Sequence, residues 1–264
     1  MRPLGTVDPN VDGRSPAQPA LERRRPTIIE EEHAMDDMYR DGQYKDANPT
    51  WHAEDAPWKA RQIEGILRDH AVAFTRFAEV GCGTGEILVR LSATFPEASF
   101  SGYDISPQAI EIAAGRRVPR VDFQEKDLLD DPASHFDVVL VADVIEHVED
   151  YIGFVRGVRD LATWKVFHIP LDLSAQSVIR IKPIMRLRAG VGHIHYFTKD
   201  IALALLADCG YKIIDWRYTA SRLELPGQAR SSRVVAPARR LLHRFDPDLA
   251  VRVLGGYSLL VLAE

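Results

Sequence analysis

Between positions 143 and 147 the chain reads Asp143-Val144-Ile145-Glu146-His147. Two carboxylates and an imidazole at i, i+3 and i+4 fall on one side of a helical turn. A helix entered directly after the apolar run "FDVVLV" (136–141) would therefore gather Asp143, Glu146 and His147. A second group follows in "GHIHYFT" (192–198), where His193 and His195 at i, i+2 share one face of an extended segment. Mixed oxygen and nitrogen donors of this kind suit a divalent metal. Without metal, the same groups suit proton transfer at a bound acceptor. The blander reading is a solvated helix start. The pattern leaves all three open, with Asp143, Glu146, His147 and His195 as the metal set and His147 with Glu146 as the acid–base pair.

The elements that must position these residues alternate along the chain. "FAEVG" (77–81), "SFSGYDI" (99–105), "VDFQEKD" (121–127), "FDVVLVAD" (136–143) and "KVFHIPL" (165–171) are predicted strands. Between them lie helical patterns: "EILVRLSATF" stopped by Pro96, "PQAIEIAAGR" opened by Pro107, and a segment around 150–162. A helix from Pro57 precedes the first strand, and "TKDIALALLADCG" (198–210) has a Thr start and a Gly stop. Such alternation predicts a doubly wound α/β domain with a mainly parallel sheet, ligands binding at the carboxyl ends of its strands. The last two strands, "YKIIDWRYT" (211–219) and "YSLLVLAE" (257–264), are predicted to add an antiparallel edge, with an insertion at 220–256 between them. Residues 1–27, rich in Pro, Gly and Arg, read as a disordered tail. Residues 28–56 read as an aromatic-rich cap and 57–264 as the main domain.

The strand ends carry ligand chemistry. After the first strand, "EVGCGTGE" (79–86) places glycines at 81, 83 and 85, which permit a tight turn and close backbone approach. A dinucleotide fingerprint would require glycine where Glu86 stands, so the loop suits a less anionic ligand than NAD. The second strand ends in Asp104, a carboxylate able to accept both hydroxyls of a ribose. The third ends in Asp127 and Leu128, which can meet an adenine amine edge through a carboxylate and a backbone N–H.

With "EVGCGTGE", "YDIS", "EKDLL" and "FDVVLVADVIEHVED" in this order, the chain resembles the class I S-adenosylmethionine-dependent methyltransferases over roughly 57–219 plus the last strand. The resemblance implies a seven-stranded Rossmann-like sheet with cofactor bound across the first four strand ends. By position it implies that Glu79, Gly81, Cys82, Gly83 and Gly85 form the methionine-side loop, and that Asp104 holds the ribose. Ile105 would pack on adenine, Asp127 and Leu128 would bind its amine edge, and Asp143 would lie beneath the sulfonium. Lys59 or Arg61 would pair with the cofactor carboxylate. Asp-x-x-Glu-His at 143–147 resembles the Glu-x-x-Glu-His metal motif of the ubiquinone-biosynthesis O-methyltransferases and of small-RNA 2′-O-methyltransferases, with the first ligand one methylene shorter. That resemblance implies a divalent metal such as Mg.

The acceptor then falls to the remaining elements: Tyr44, Trp51, His52 and Trp58 of the cap region, with His193 and His195. Aromatic faces favour a ring-shaped or glycosidic acceptor. The basic run "RIKPIMRLR" (180–188) could meet a phosphate or carboxylate, although an exposed loop or helix face is the plainer reading. The expected activity is methylation of a small molecule, at oxygen, in secondary-metabolite or sugar modification. The alternatives are an RNA 2′-O-methyltransferase and a non-catalytic cofactor-binding partner. A formal net charge of −5 gives no nucleic-acid footprint, despite the basic 229–244 segment. Cys82 and Cys209 read as reduced thiols of a cytoplasmic protein, and no apolar run reaches the roughly 20 residues that span a membrane.

Overall fold

The computed structural model describes Tyr39 and residues 42–130, 135–225 and 230–264; the tail expected at 1–27 lies outside them. Strands β1 (Arg76–Val80), β2 (Ser99–Asp104), β3 (Val121–Glu125), β4 (Phe136–Ala142), β5 (Ala162–Pro170), β6 (Ile213–Thr219) and β7 (Ser258–Ala263) form one sheet. Their order is β3-β2-β1-β4-β5-β7-β6. Pairing is parallel from β3 through to β5, whereas β7 runs antiparallel to both β5 and β6. The predicted antiparallel edge is present: the last two strands close that side of the sheet, β7 next to β5 and β6 outermost. Composition explains the order of the two. Every residue of β7 is buried, as an interior strand requires, while β6 carries Asp215 and Arg217 and is mostly half-buried.

The core divides into two clusters on opposite faces of the sheet. In β4, Phe136, Val139 and Val141 enter one cluster, while Val138, Leu140 and Ala142 enter the other. An interior strand covered on both faces reads as a continuous apolar run for this reason. The helices in chain order are α1 (Gln43–Ala47), α2 (Ala56–Asp69), α3 (Glu86–Thr94), α4 (Pro107–Ala114), α5 (Tyr151–Arg159), α6 (Ala175–Arg180), α7 (Lys182–Val191), α8 (Lys199–Asp208), α9 (Ser221–Glu224), α10 (Arg230–Phe245) and α11 (Pro247–Leu254). Local chemistry sets several starts. Pro107 opens α4 behind Ser106, and Asp150 caps α5 by accepting from Gly153 N at 2.9 Å. Thr198 and Asp246 do the same for α8 and α11. None of the described helices is long and apolar enough to cross a membrane.

The order reverses between β1 and β4, both of which leave from the same edge of neighbouring strands. That switch point opens a crevice at the carboxyl ends of the strands, which is where the site lies.

Candidate functional site

The turn after β1 is made of glycines in left-handed conformations, with φ of +67°, +53° and +74° at Gly81, Gly83 and Gly85. Crowding reinforces two of them. A Cβ on Gly81 would meet Val144 at 2.6 Å, and one on Gly85 would meet the Phe123 ring at 2.3 Å. At Gly83 the same position is open space on the cavity side. Asp104 holds the loop in place, accepting from Gly83 N and from Ser106 N, each at 2.8 Å. Each carboxylate oxygen keeps a further lone pair for a ligand. Burial pushes the Asp104 carboxyl up, and these backbone donors oppose the shift. Glu79, buried within β1, faces the same space with Oε2 lacking any hydrogen-bond partner. Burial holds its carboxyl well above the usual range. A ligand ammonium would supply the missing donor.

At the end of β4 the chain does not continue as a helix. Asp143 takes φ +56°, residues 144–147 form a turn closed by His147 N donating to Val144 O at 2.9 Å, and α5 starts only at Tyr151. This corrects the predicted grouping. Asp143 pairs with Lys59 Nζ at 2.6 Å and His168 Nδ1 at 2.7 Å and does not join the ligand atoms of Glu146 and His147. Burial alone would raise the Asp143 carboxyl, but the Lys59 ammonium and the His168 ring outweigh it and hold the group far below the ordinary range. Lys59 is in turn held protonated by Asp143 against its own burial. Of the two basic candidates in α2, Lys59 lines the cavity and Arg61 is exposed away from it.

Glu146 joins a different set. Its backbone carbonyl accepts from Ile194 N and His195 N at 2.9 and 3.1 Å, which draws the 192–196 segment against the turn. His147 Nε2 and His193 Nε2 then lie 3.8 and 3.9 Å from Glu146 Oε1. The opposite ring nitrogens are both engaged: Nδ1 of His193 with Asp172 at 2.7 Å, and Nδ1 of His147 with the Gly192 carbonyl at 3.1 Å. These contacts fix the tautomer that leaves both Nε2 atoms facing the carboxylate, as outer partners of metal-binding histidines do. Glu146 is fully buried, and neither of its oxygens has a hydrogen-bond partner. Burial, then the nearby Asp143, raises its carboxyl well above the usual range. Burial, then His193, lowers His147 to about 4, so its ring is neutral at physiological pH.

Glu146, His147 and His193 are thus the group able to hold a metal among the described residues, their ligand atoms all within 4.8 Å of one another. The set expected from the sequence changes in two members. Asp143 is committed elsewhere, and His195 points to Glu149 O at 3.3 Å with its ring 4.3 Å from Tyr151. Two imidazoles and one carboxylate fit Mn, Fe or Zn better than Mg, which prefers an all-oxygen shell.

One cavity of about 710 Å³ joins these parts. Gly81, Cys82, Gly83, Asp104, Ile105, Asp127 and Asp143 line it at the strand ends. Gly85 and Leu128 do not: Gly85 serves the turn, and Leu128 is fully buried in the core. Asp127 also caps the short turn after β3, accepting from Leu129 N at 2.9 Å. The cap region forms the roof. Tyr39, Tyr44 and Trp51 are in successive ring contact at 4.8 and 5.1 Å, and Tyr39 meets the His147 ring edge-on at 5.8 Å. Burial pushes the Tyr44 hydroxyl up to about 12. His52 lines the cavity as well. Trp58 donates to Glu224 at 2.6 Å and packs edge-on against His168, tying α2 to α9. Beyond the cluster the cavity continues between α6, α7 and α10, the first two of which the sequence reading left unassigned.

A 3-2-1-4-5-7-6 sheet, a glycine turn after the first strand and acids after the next three define the class I S-adenosylmethionine-dependent methyltransferase architecture. The comparisons agree with that architecture: residues 78–163 match the family model described as a methyltransferase domain. The chain is 34% identical over 107 residues to the ubiquinone biosynthesis O-methyltransferase of Methylocella silvestris, spanning 36% of this chain and 40% of that protein. It is 32% identical over 110 residues to polyketide synthase ThaQ of Burkholderia thailandensis, 38% of this chain but 5% of the synthase. The chain thus spans less than half the length of either. In fold it is similar to magnesium protoporphyrin IX methyltransferase from Synechocystis PCC 6803 with bound S-adenosylhomocysteine, at TM-score 0.53 and 16% identity over 83% of this chain and 85% of that one.

Proposed function

We propose that this chain is an S-adenosylmethionine-dependent methyltransferase of a small-molecule acceptor, acting at oxygen in a biosynthetic modification in the cytoplasm. One observation carries the reading. The strand-end residues suited to the cofactor and the Glu146–His147–His193 cluster open onto one cavity, whose lining extends to α6, α7 and α10. The cofactor supplies a methyl group already activated by its sulfonium. The chain's own task is to align the acceptor, exclude water and receive a proton. Glu79 and Lys59 would meet the amino and carboxylate ends of the methionine part, Asp104 the ribose, and Asp127 with Ile105 the adenine. The aromatic roof excludes water, and His147 or Glu146 would take the acceptor's proton.

A second form of this reading rests on Glu146, whose buried, unpartnered oxygens are what a metal would satisfy. A bound divalent ion would lower the pKa of an acceptor hydroxyl. RNA is disfavoured as acceptor by the acidic net charge.

Calorimetry with S-adenosylhomocysteine tests the assignment. Asp104→Ala removes the ribose acceptor, and two hydrogen bonds to a charged group correspond to a loss of about a hundredfold or more in affinity. The melting curve of the variant serves as the folding control. Wild-type affinity in a folded Asp104→Ala variant would refute the site.

A further inference from the structure

The lobe beyond the cluster has a composition unlike the rest of the cavity. Every carboxylate that lines the cavity comes from the cap, the first turn of α3 or a strand and the loop after it. The far wall instead presents guanidinium groups: Arg180 at the end of α6, Arg186 in α7 and Arg239 in α10. The basic run noted in the sequence is thus a cavity wall and not only an outer face. We propose that Arg180 and Arg186 form a subsite for an anionic group, a carboxylate or a phosphate, on the acceptor. The proposal rests on the methyltransferase reading and names the acceptor class for that site.

Three observations support it. First, neither arginine has a carboxylate partner among the described residues. Arg180 reaches only Gln176 Oε1, at 3.5 Å, and the sequence holds no Asp or Glu between Asp172 and Asp200. Elsewhere Arg116 is paired with Glu86, Arg217 with Asp69 and Asp215, and Arg252 with Asp200, whereas Arg180 and Arg186 line the cavity without such a partner among the described residues. Second, the chain between them is held in a conformation that a β-branched residue rarely adopts. Ile181 has φ +50° and forms the junction of α6 and α7. The break at Ile181 places the two arginines on separate helices, and both line the cavity. Strain at such a position is a pointer to function. Third, the surface nearer the cluster is apolar, with Ile184, Leu187 and Val191 lining it. Planar guanidinium groups recognise carboxylate and phosphate in bidentate fashion. The lobe therefore fits an acceptor with an apolar body, its anionic end away from the oxygen to be methylated.

The test is calorimetry on the full chain saturated with S-adenosylhomocysteine, using three probes of one shape: 1-naphthaleneacetate, 1-naphthyl phosphate and the neutral 1-naphthaleneacetamide. At least one anion is expected to bind tenfold or more tightly than the amide, and the tighter of the two identifies carboxylate or phosphate as the group read. The Arg180→Ala/Arg186→Ala double variant should lose that preference while keeping wild-type affinity for S-adenosylhomocysteine. Arg186→Lys should keep part of it. Equal binding of anions and amide by the wild type, absence of anion binding, or an undiminished preference in the double variant would overturn the subsite. Failure of the wild type to bind S-adenosylhomocysteine would instead refute the methyltransferase reading.

Discussion

Asp143→Asn is expected to unfold on the order of 10 °C below the wild type, a loss of about 3 kcal/mol. Asparagine keeps the shape and tolerates the left-handed backbone at φ +56°, so neither packing nor conformation accounts for the loss. The charge does. Lys59 Nζ sits 2.6 Å from Asp143 Oδ2, with the two side chains only 15% and 25% exposed, and the substitution leaves that ammonium desolvated and unmatched. Breaking a pair costs more than deleting it, because the surviving charge keeps its burial penalty. Adding Lys59→Met to Asp143→Asn should therefore recover most of the stability, as read from urea midpoints at unchanged m-value. Affinity for S-adenosylhomocysteine should stay low in the double variant, because both the assigned floor of the cofactor site and the Lys59 ammonium assigned to the cofactor carboxylate are missing. Recovery of affinity together with stability would show that Asp143 serves the fold alone.

The pH dependence has a fixed sign. Asp143 is depressed in the folded state, so its contribution is present above the unfolded value of about 4 and is lost as pH falls toward the folded one. Lys59 is raised, so its contribution is present below the unfolded value of about 10.4 and is lost as pH rises through the folded one. The gap between wild type and Asp143→Asn should accordingly be widest between about pH 4 and 10 and shrink in acid.

Much of the fold, and the gathering of the strand-end residues at one cavity, was legible because both depend on local pattern. Apolar runs such as "FDVVLV" mark strands covered on both faces, and the glycines at 81, 83 and 85 mark a turn whose backbone few other residues could follow. Asp104 was legible because a strand end fixes where its side chain emerges. The misreadings share one physical cause, in that long-range pairing overrode a local period. Asp143, Glu146 and His147 would share a face only in a continuous helix, and the pull of Lys59 and His168 on Asp143 accompanies a left-handed residue instead. His193 and His195 would share a face only in a regular strand. Consecutive amides at Ile194 and His195 both donate to Glu146 O, which a strand ladder does not allow, and the two rings diverge. The antiparallel edge was legible in the chain order, and the unbroken apolar composition of β7 marks it as the inner of its two strands. Nothing local distinguished the kink at Ile181 from a simple loop.

Glu146→Gln should raise the melting temperature of the metal-free protein and abolish its response to metal. Both effects come from one geometric fact. Glu146 is completely buried with neither oxygen hydrogen-bonded to another side chain, and two imidazole nitrogens lie 3.8 and 3.9 Å from Oε1. A buried polar group without partners costs about 1–3 kcal/mol. The glutamine amide has the same shape, carries no charge and can donate toward an imidazole Nε2, so a gain of about 1–2 kcal/mol is expected. Sites retained against stability are retained for function. In the wild type, Mn(II) should supply the missing partner and raise the melting temperature, by the equivalent of about 2.7 kcal/mol at a hundred times its dissociation constant. Mg(II) should do so weakly, because two of the three donors are nitrogen. His193→Ala should also lose the Mn(II) response, whereas His195→Ala should keep it, which separates this cluster from the set the sequence alone suggested. A wild type insensitive to Mn(II), Fe(II) and Zn(II) would refute the metal reading. A glutamine variant less stable than the wild type without metal would contradict the unpartnered carboxyl itself.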